Sequence, residues 1–208
     1  MLIRSVDDAT DDEPRWRRFV EQQGFGHFVA PGRDRAVPAV VPTQFLLDGR
    51  RLFFHLARPN PVFEALDERA DCLMSVAGDW AYIPGSWKAI DEEDPRHGIP
   101  TTYYAAVQLI GRAEVVDEPP AIAAILRRQL ARQEPDGDYV DPIEHGSTLR
   151  GIRGIVVDVA SVRAKFKYGG NVDQAHRHEV ARRLDARGGP GDHAALRHLT
   201  DDESTSQA

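Results

Sequence analysis

The fold of this chain is indicated first by the stretch Phe54-His55-Leu56-Ala57-Arg58-Pro59-Asn60-Pro61. It follows a hairpin pattern of apolar residues around Asp48-Gly49, a dipeptide typical of tight β-turns. Asn60 and Pro61 are typical of a helix start, as cap and first residue, and they predict a short helix at 60–68. A histidine, an arginine and the free amides of a helix start therefore meet where a strand ends. This combination suits a phosphate.

Size and charge bound the class of protein. The chain has 208 residues, which is enough for one domain with a helical tail. Its formal net charge of −7 is unfavourable for general binding to nucleic acid or anionic membrane. No apolar run is long enough to span a bilayer, and residues 1–12 lack the apolar core of a signal peptide. The single cysteine, Cys72, excludes an internal disulfide and is expected to be a buried small hydrophobe in a strand. We therefore expect a soluble cytoplasmic protein.

Hydrophobic patterning predicts strands and helices in mixed order. Strands are expected at 25–29, 36–47, 51–57, 71–77 with 79–83 (as two strands or one broken strand), 101–116 and 151–162, and helices at 12–23, 60–68, 120–133, 172–186 and after Asp192. Residues 84–100 form a long predicted loop, and Gly111 marks a predicted bulge. The pattern favours an α+β, barrel-type domain. We divide the chain into a barrel domain with its N-terminal helix at 1–171, a C-terminal helical extension at 172–200 and a disordered tail at 201–208.

Four motifs in order along the chain resemble those of the PaiB-type FMN-binding family, whose members are often labelled negative transcriptional regulators. They are His55-Leu56-Ala57-Arg58-Pro59-Asn60-Pro61, Gly78-Asp79-Trp80-Ala81-Tyr82-Ile83-Pro84-Gly85-Ser86-Trp87, Ile99-Pro100-Thr101-Thr102-Tyr103-Tyr104-Ala105-Ala106-Val107-Gln108 and Ala164-Lys165-Phe166-Lys167-Tyr168-Gly169-Gly170-Asn171. The resemblance implies the mostly antiparallel FMN-binding split barrel shared with pyridoxamine-phosphate oxidases. It also implies a homodimer with the cofactor site at the subunit interface, where Tyr103, Tyr104 and the tail after Asn171 would lie.

The chain departs from the family motifs at a few positions. Thr102 and Tyr103 replace a Trp-Asn pair, Gln108 replaces a His, and Gly169-Gly170 replace Ser-Gln. These positions cluster where the family would shape the floor of its pocket and its tail.

FMN presents a phosphate dianion and a flat amphipathic ring, and the resemblance implies residues for each. For the phosphate we expect Arg58 to converge with Lys165 and Lys167, which alternate along a strand and so face one side of it. The alternative for the two lysines is a solvated strand edge. The full set of expected cofactor-binding residues is Val41, Thr43, Gln44, His55, Leu56, Ala57, Arg58, Asn60, Tyr82, Ser86, Trp87, Thr101, Thr102, Tyr103, Lys165 and Lys167.

The histidines admit other uses. His55 could bind phosphate or flavin, be a structural histidine, or ligate haem iron. His176, His178, His193 and His198 lie on polar tail helices and are expected to face solvent. The sequence contains no recognised zinc spacing, P-loop or Ser-His-Asp signature, so it designates no catalytic residue, and no metal ligand other than His55 if haem is bound.

Three functions remain open from the sequence. The leading one is a homodimeric FMN-binding protein of the flavin-dependent oxidoreductase type, with a small-molecule substrate near Tyr103 and the loop 84–100. The second is a haem-binding enzyme resembling piperazate synthase, which forms a nitrogen–nitrogen bond from an N-hydroxylated ornithine. The third is a transcriptional regulator, although the sequence lacks a helix-turn-helix pattern and a basic recognition helix.

Overall fold

The hairpin around Asp48-Gly49 is present in the computed structural model, which describes residues 1–88 and 94–205. Asp48 pairs with Arg51, and Gly49 adopts the left-handed backbone (φ 56°) that favours glycine. The second hairpin strand then pairs antiparallel with a strand late in the chain, from Arg51 opposite Asp158 to Ala57 opposite Ile152. A long-range backbone ladder therefore fixes the strand that the sequence singled out.

The described residues form seven strands and five α-helices. The strands are β1 (Phe25–Ala30), β2 (Ala39–Gln44), β3 (Leu46–Asp48), β4 (Arg51–Ala57), β5 (Asp71–Ile83), β6 (Thr101–Val116) and β7 (Ile152–Lys167). The helices are α1 (Glu13–Gln23), α2 (Val62–Glu68), α3 (Pro119–Gln133), α4 (Gln174–Arg187) and α5 (Asp192–Thr205). Short 3-10 segments lie at Ser5–Asp7, Gly85–Trp87, Pro95–His97 and Pro142–Gly151. The predicted bounds of β4 and β6 are confirmed.

All seven strands belong to one sheet, in the order β2-β1-β5-β6-β7-β4-β3, and the pairs with a defined register are antiparallel. The predicted α+β class is thus confirmed. The chain divides into two compact units: the core unit (Pro14–Val76 and Val107–Arg163) and the terminal unit (Met1–Glu13, Ala77–Ala106 and Ala164–Ala208). The sequence predicted a boundary after residue 171. The terminal unit instead also includes the N-terminal segment and parts of the long strands β5, β6 and β7.

The core unit is built around inaccessible apolar side chains from four strands. Phe28 and Phe54 pack edge to face with their ring centroids 4.9 Å apart, and Leu52, Met74 and Ile155 are equally buried. These residues come from β1, β4, β5 and β7, so the long-range pairing of the sheet and the formation of this core depend on each other.

Two predicted burial patterns in the core unit are confirmed. Trp16, Phe19 and Val20 of α1 are buried on one face of the helix. Cys72 is 4% exposed, and burial raises the pKa of its thiol to about 12. Because the thiolate is the reactive form, Cys72 is a packing residue rather than a nucleophile.

The terminal unit packs aromatic side chains against helix α5. Tyr168 stacks on His198 with ring centroids 4.5 Å apart, and Tyr103 meets Tyr168 edge-on at 5.9 Å. The Nε2 atom of His198 lies 2.7 Å from Oδ2 of Asp79, and the His198 side chain is 12% exposed. The expectation that His198 faces solvent is therefore wrong, because α5 packs this histidine against aromatic rings and a carboxylate.

Two element boundaries in the first half of the chain differ from the prediction. The strand expected at 36–47 is broken into β2 and β3 at Phe45, whose N–H donates to the Gly24 carbonyl at 3.0 Å. Helix α2 begins at Val62 instead of Asn60, and the Asn60 side chain accepts the Val62 N–H at 3.0 Å from outside the helix. Local hydrogen bonds that patterning does not reveal set both boundaries.

The second half of the chain also shows differences. Strand β5 is continuous although Asp79 has a left-handed backbone (φ 50°), and β7 continues past its predicted end at residue 162 to Lys167. Helix α5 reaches Thr205, inside the tail that we expected to be disordered. Residues 89–93 of the predicted loop and 206–208 of the tail lie outside the described residues. Within the described part of the chain, no helix is long and apolar enough to cross a membrane.

Gly111 marks a close approach of two backbones in the core unit. A Cβ at this position would lie 2.1 Å from the carbonyl oxygen of Asp158, which is far inside the contact distance of the two atoms. An added Cβ on Gly151, in contrast, would meet no atom within 4 Å. The sequence predicted a bulge at Gly111. In the structure, glycine is needed at this position because any side chain would clash with the backbone of Asp158.

We expect Gly111→Ala to lower the free energy of unfolding by about 1–3 kcal/mol, the range for overpacking an interior. The control Gly151→Ala should stay within about 0.5 kcal/mol of the unchanged protein. Urea unfolding followed by tryptophan fluorescence measures both. Equal stability of the Gly111→Ala variant and the unchanged protein would contradict the close approach.

Candidate anion-binding site

All the lysines of the chain belong to the terminal unit. Only three of its 26 Lys and Arg residues are lysines, at 88, 165 and 167. The ammonium nitrogens of Lys165 and Lys167 lie 5.5 and 6.0 Å from the centre of the Tyr104 ring, so the two lysines face one side of β7 as predicted. Burial lowers the pKa of Lys88, and the nearby charge of Lys167 lowers it further. Positive charge is therefore concentrated at this place.

Backbone geometry brings Lys88 to this region. The 3-10 turn Gly85–Trp87 approaches Gly98 so closely that a Cβ on Gly85 would lie 2.3 Å from the Gly98 carbonyl oxygen. The Lys88 N–H closes the turn by donating to the Gly85 carbonyl at 2.7 Å. Lys88 thus leaves the turn beside the segment that leads into β6, the strand that begins with Thr101.

Lys165 and Lys167 have different surroundings. Lys165 is 8% exposed, its ammonium donates to the Leu2 carbonyl at 3.1 Å, and it lies 4.0 Å from a carboxylate oxygen of the buried Asp7. Lys167 is half-buried and donates to the Thr101 hydroxyl at 2.6 Å. Because an ammonium has three donors, Lys167 can bind a further acceptor. Lys165 instead fastens the N-terminal segment.

The Lys88–Lys167 pair has the chemistry of an anion site. Two like charges in a partly buried position repel each other, and each has lost part of its hydration. An anion with several oxygens would reverse the sign of this interaction and would accept hydrogen bonds from both ammonium groups. Thr101 adds a hydroxyl that can donate as well as accept. The pair therefore fits a phosphate better than a neutral ligand.

Helix α4 supports the turn that carries Lys88. The guanidinium carbons of Arg187 and Arg183 lie 4.8 and 5.9 Å from the centre of the Trp87 ring. Arg187 also donates to the Tyr82 carbonyl at 2.9 Å and to Asp192. The helical extension therefore holds the segment 82–88 in place.

Tyr103 and Gly169, both departures from the family motifs, meet in the terminal unit. Gly169 has a left-handed backbone (φ 78°), and a Cβ there would lie 2.5 Å from the Tyr103 hydroxyl oxygen. Tyr103 is 1% exposed, burial raises the pKa of its phenol, and its hydroxyl has no hydrogen-bond partner within residues 1–88 and 94–205. The two departures are sterically coupled, because a side chain at position 169 would clash with the Tyr103 hydroxyl and glycine does not.

Arg58 is engaged within the core unit. Its Nε donates to the Arg150 carbonyl at 2.7 Å and its two Nη atoms donate to Asp117 at 2.8 Å and to the Ile152 carbonyl at 3.2 Å. Asp117 is shared with Arg153, and hydrogen bonds from Arg153 and then from Arg58 lower the pKa of this carboxyl. Arg58 therefore braces the start of β7.

His55 is oriented by a buried amide in the core unit. Its Nδ1 lies 2.7 Å from Oε1 of Gln129, a residue that is 7% exposed. Because an amide oxygen only accepts, the imidazole donates from Nδ1, which makes Nε2 the lone-pair nitrogen of the neutral ring. This tautomer suits a structural histidine and also a metal ligand.

The expected cofactor-binding residues fall into the two units in equal number. The core unit holds Val41, Thr43, Gln44, His55, Leu56, Ala57, Arg58 and Asn60, and the terminal unit holds Tyr82, Ser86, Trp87, Thr101, Thr102, Tyr103, Lys165 and Lys167. Within the terminal unit, Lys165 and Lys167 both lie beside the Tyr104 ring, and Lys167 donates to Thr101. The convergence of Arg58 with the two lysines stays a prediction.

Sequence reasoning missed two residues of this region. Lys88 directly follows Ser86-Trp87 of the second motif, and its rarity as a lysine in an arginine-rich chain was an available signal. His176, expected to face solvent, is half-buried, and its Nε2 is inaccessible. His178 and His193 are exposed as predicted.

A cavity of 690 Å³ in the core unit is lined by charged residues of both signs, and four of them form ion pairs: Glu68, Arg69, Asp71 and Arg112. Glu68 binds Arg35, and this hydrogen bond is the main cause that lowers the pKa of Glu68 to about 2. Asp71 binds Arg69 and Arg112. Since these charges neutralise one another, the cavity offers an anion less than the Lys88–Lys167 pair does.

Comparisons with known proteins agree with the fold. The profile of the family described as "Putative FMN-binding domain" matches residues 2–161. The solved flavocytochrome Anf3 from Azotobacter vinelandii is 19% identical, with a TM-score of 0.60, over 80% of this chain and 72% of that chain. The FAD and haem binding protein from Mycobacterium smegmatis is 18% identical, with a TM-score of 0.60, over 88% of this chain and 80% of that chain. At these identities the likeness shows the fold alone, and the predicted split-barrel class is confirmed. No curated protein sequence matches the chain.

We expect Gly169→Ala to lower the free energy of unfolding by about 2 kcal/mol or more, because it combines a left-handed backbone with a clash. Adding Tyr103→Phe removes the clashing oxygen, so a double-mutant cycle should show about 1 kcal/mol of compensating coupling. Tyr103→Phe alone should be neutral or stabilising, since it removes an unpartnered buried hydroxyl. Additive effects in urea unfolding would refute the steric coupling.

Proposed function

We propose, because the chain belongs to the family described as "Putative FMN-binding domain", that it is a cytoplasmic, homodimeric, flavin-dependent oxidoreductase acting on a small molecule. FMN is the cofactor that membership of this family assigns. The observation that carries the proposal is the Lys88–Lys167 pair beside Thr101 in the terminal unit. We assign the phosphate of FMN to this pair.

The residues present fit a phosphate. Lys88 and Lys167 repel each other in the free protein, so a dianion stabilises both charges at once. Partial burial strengthens the attraction relative to bulk water. Lys167 is already directed by its bond to the Thr101 hydroxyl, so little side-chain freedom is lost when a ligand binds.

The neighbouring aromatic residues suit a flat ring. Trp87 is held by two guanidinium groups, and Tyr82 is 51% exposed on the strand that precedes it. In the proposed site these residues orient the ring. When bound, FMN supplies hydride or electron transfer. The side chain of Tyr103 is only 1% exposed, so in the proposed site it packs inside the terminal unit and does not form the surface of the site.

Exposed aromatic side chains support self-association. Along β5, Trp80 (59% exposed) and Tyr82 alternate with the buried Ala81 and Ile83, so the two large rings share one outward face. Exposed apolar patches of this kind are typical of protein interfaces, and the commonest partner of a soluble chain is a second copy.

The homodimer is tested by sedimentation equilibrium at micromolar concentration. We expect a dimer for the unchanged protein and a shift toward monomer for Trp80→Glu, which places a charge on the proposed interface. Val140→Glu is the matched control, since Val140 is 56% exposed in the core unit. A monomeric unchanged protein would rule out the proposed dimer.

Haem binding is a second candidate, and one observation favours it. The Gln129 amide fixes His55 in the tautomer with its lone pair on Nε2, as a haem ligand requires. The absorption spectrum of the purified protein separates the candidates, because haem gives a single intense Soret band and flavin gives two weaker bands, one on each side of the Soret position. The regulator alternative gains no support from α4, whose Arg182, Arg183 and Arg187 are bonded to Glu179 and Asp192.

The phosphate assignment is tested by comparing FMN with riboflavin, which has the same ring and no phosphate. Lys88→Ala and Lys167→Ala should each weaken FMN binding by about 1.5–3 kcal/mol, the contribution of a charged hydrogen bond, and leave riboflavin binding unchanged. The control Arg132→Ala removes an exposed positive charge from the core unit and should change neither affinity. Quenching of flavin fluorescence measures the dissociation constants. Equal losses for FMN and riboflavin would exclude the Lys88–Lys167 pair as the phosphate site.

A further inference from the structure

Arg187, the last residue of α4, contacts three other segments of the terminal unit. Its Nε donates to Oδ2 of Asp192 at 2.7 Å and its Nη2 donates to Oδ1 at 2.5 Å, so the guanidinium and the carboxylate form a two-point pair. The same Nη2 donates to the Tyr82 carbonyl at 2.9 Å. The guanidinium carbon lies 4.8 Å from the centre of the Trp87 ring. One planar group therefore links the two helices of the extension to the end of β5 and to the turn that follows it.

Asp192 is a fixed anchor for this guanidinium. It is the first residue of α5, and its side chain is 1% exposed. Its Oδ2 also accepts the Gly189 N–H at 2.8 Å. The link between the two helices lies directly against β5, because a Cβ on Gly191 would lie 2.0 Å from the Trp80 carbonyl oxygen. A buried carboxylate that is held by backbone on both sides fixes where the Arg187 side chain ends.

The orientation of Trp87 depends on this guanidinium. Trp87 is half-buried at the end of the 3-10 turn, and a guanidinium over an aromatic face attracts the ring. Arg183, one helical turn earlier, is farther from the ring at 5.9 Å and is bonded to Glu179. Because Lys88 is the next residue after Trp87, the same contact also holds the turn that carries this lysine.

A lysine at position 187 would keep the positive charge and lose this arrangement. An ammonium group is a point charge without a flat face, and it lacks the planar fork that matches a carboxylate at two points. Replacement of Arg187 by lysine therefore changes the geometry of the contact with Trp87 at constant net charge.

We propose that Arg187 is a positioning residue of the flavin site, which holds Trp87 in the orientation that receives the FMN ring. The proposal rests on the proposed function, because it takes FMN as the ligand. It makes the helical extension a part of the site, since α4 and α5 lie beyond the residues 2–161 that the family profile matches. Arg187 acts through Trp87 and does not itself contact the cofactor.

The binding experiment compares the unchanged protein, Arg187→Lys and Arg182→Lys by quenching of flavin fluorescence. We expect Arg187→Lys to weaken the binding of FMN and of riboflavin about tenfold each, because the two flavins share the ring that Trp87 contacts. Lys88→Ala, in contrast, should weaken FMN binding alone. Arg182 is 69% exposed on the same helix and paired with Glu179, so its variant is the matched control and should change neither affinity.

Fluorine NMR of protein labelled with 5-fluorotryptophan separates positioning from folding, because the chain has only three tryptophans. Arg187→Lys should shift the Trp87 signal and leave the signal of Trp16, a buried residue of the core unit, unchanged. In a Trp87→Ala background, Arg187→Lys should cause no further loss of riboflavin affinity, since it acts through the missing ring. Asp192→Asn weakens the same pair from its other side and should reproduce the pattern of Arg187→Lys.

The outcomes separate this inference from the proposed function. Unchanged affinities for both flavins in Arg187→Lys, with FMN binding still weakened by Lys88→Ala, would overturn the role of Arg187 and leave the phosphate site standing. A loss for FMN alone, or an equal loss in Arg182→Lys, would also overturn it, because the effect would then not pass through the ring. A shifted Trp16 signal in both Arg187→Lys and Asp192→Asn would assign the pair to the stability of the fold instead. Failure of the unchanged protein to bind either flavin would overturn both proposals.

Discussion

The repulsion between the ammonium groups of Lys88 and Lys167 is the interaction on which this account depends. The terminal unit holds both groups in partly buried positions, and burial together with the charge of Lys167 lowers the pKa of Lys88. Such an arrangement is unfavourable in the free protein and becomes favourable when an anion binds. The turn Gly85–Trp87, the bond to Thr101 and the support from α4 all maintain it.

The two lysines of β7 show how neighbouring residues acquire different roles. Lys165 contacts the Leu2 carbonyl and the buried Asp7, so its charge is used inside the protein to fasten the N-terminal segment. Lys167, two residues later on the same side of the strand, contacts a neutral hydroxyl and keeps donors available. Arg58 resembles Lys165 in this respect, because its guanidinium is bonded to Asp117 and to backbone carbonyls.

The sequence predicted much of the fold because local signals were strong. The Asp48-Gly49 turn and the alternation after it defined β4, and the unbroken apolar alternation from Thr101 defined β6. The misplaced boundaries depended on single hydrogen bonds, such as the one from Phe45 to the Gly24 carbonyl. Patterning averages over several residues and does not register such bonds. The motif resemblance supplied the split-barrel topology, which periodicity alone does not give.

The candidate site was less predictable. The alternation of Lys165 and Lys167 could be read from the sequence, whereas the approach of Lys88 depends on a contact between Gly85 and Gly98 that only the folded backbone reveals. His176 was assigned to solvent because its helix is polar. Its burial results from packing within the terminal unit, which residue composition does not encode.

The most direct test of the central claim is NMR of protein labelled with nitrogen-15 at its lysine side chains, because the chain gives only three such signals. The account predicts that FMN shifts the signals of Lys88 and Lys167, raises the pKa of Lys88 and leaves Lys165 unchanged, while riboflavin moves none of the three. Bound FMN that perturbs only Lys165, or riboflavin that produces the same shifts as FMN, would contradict it.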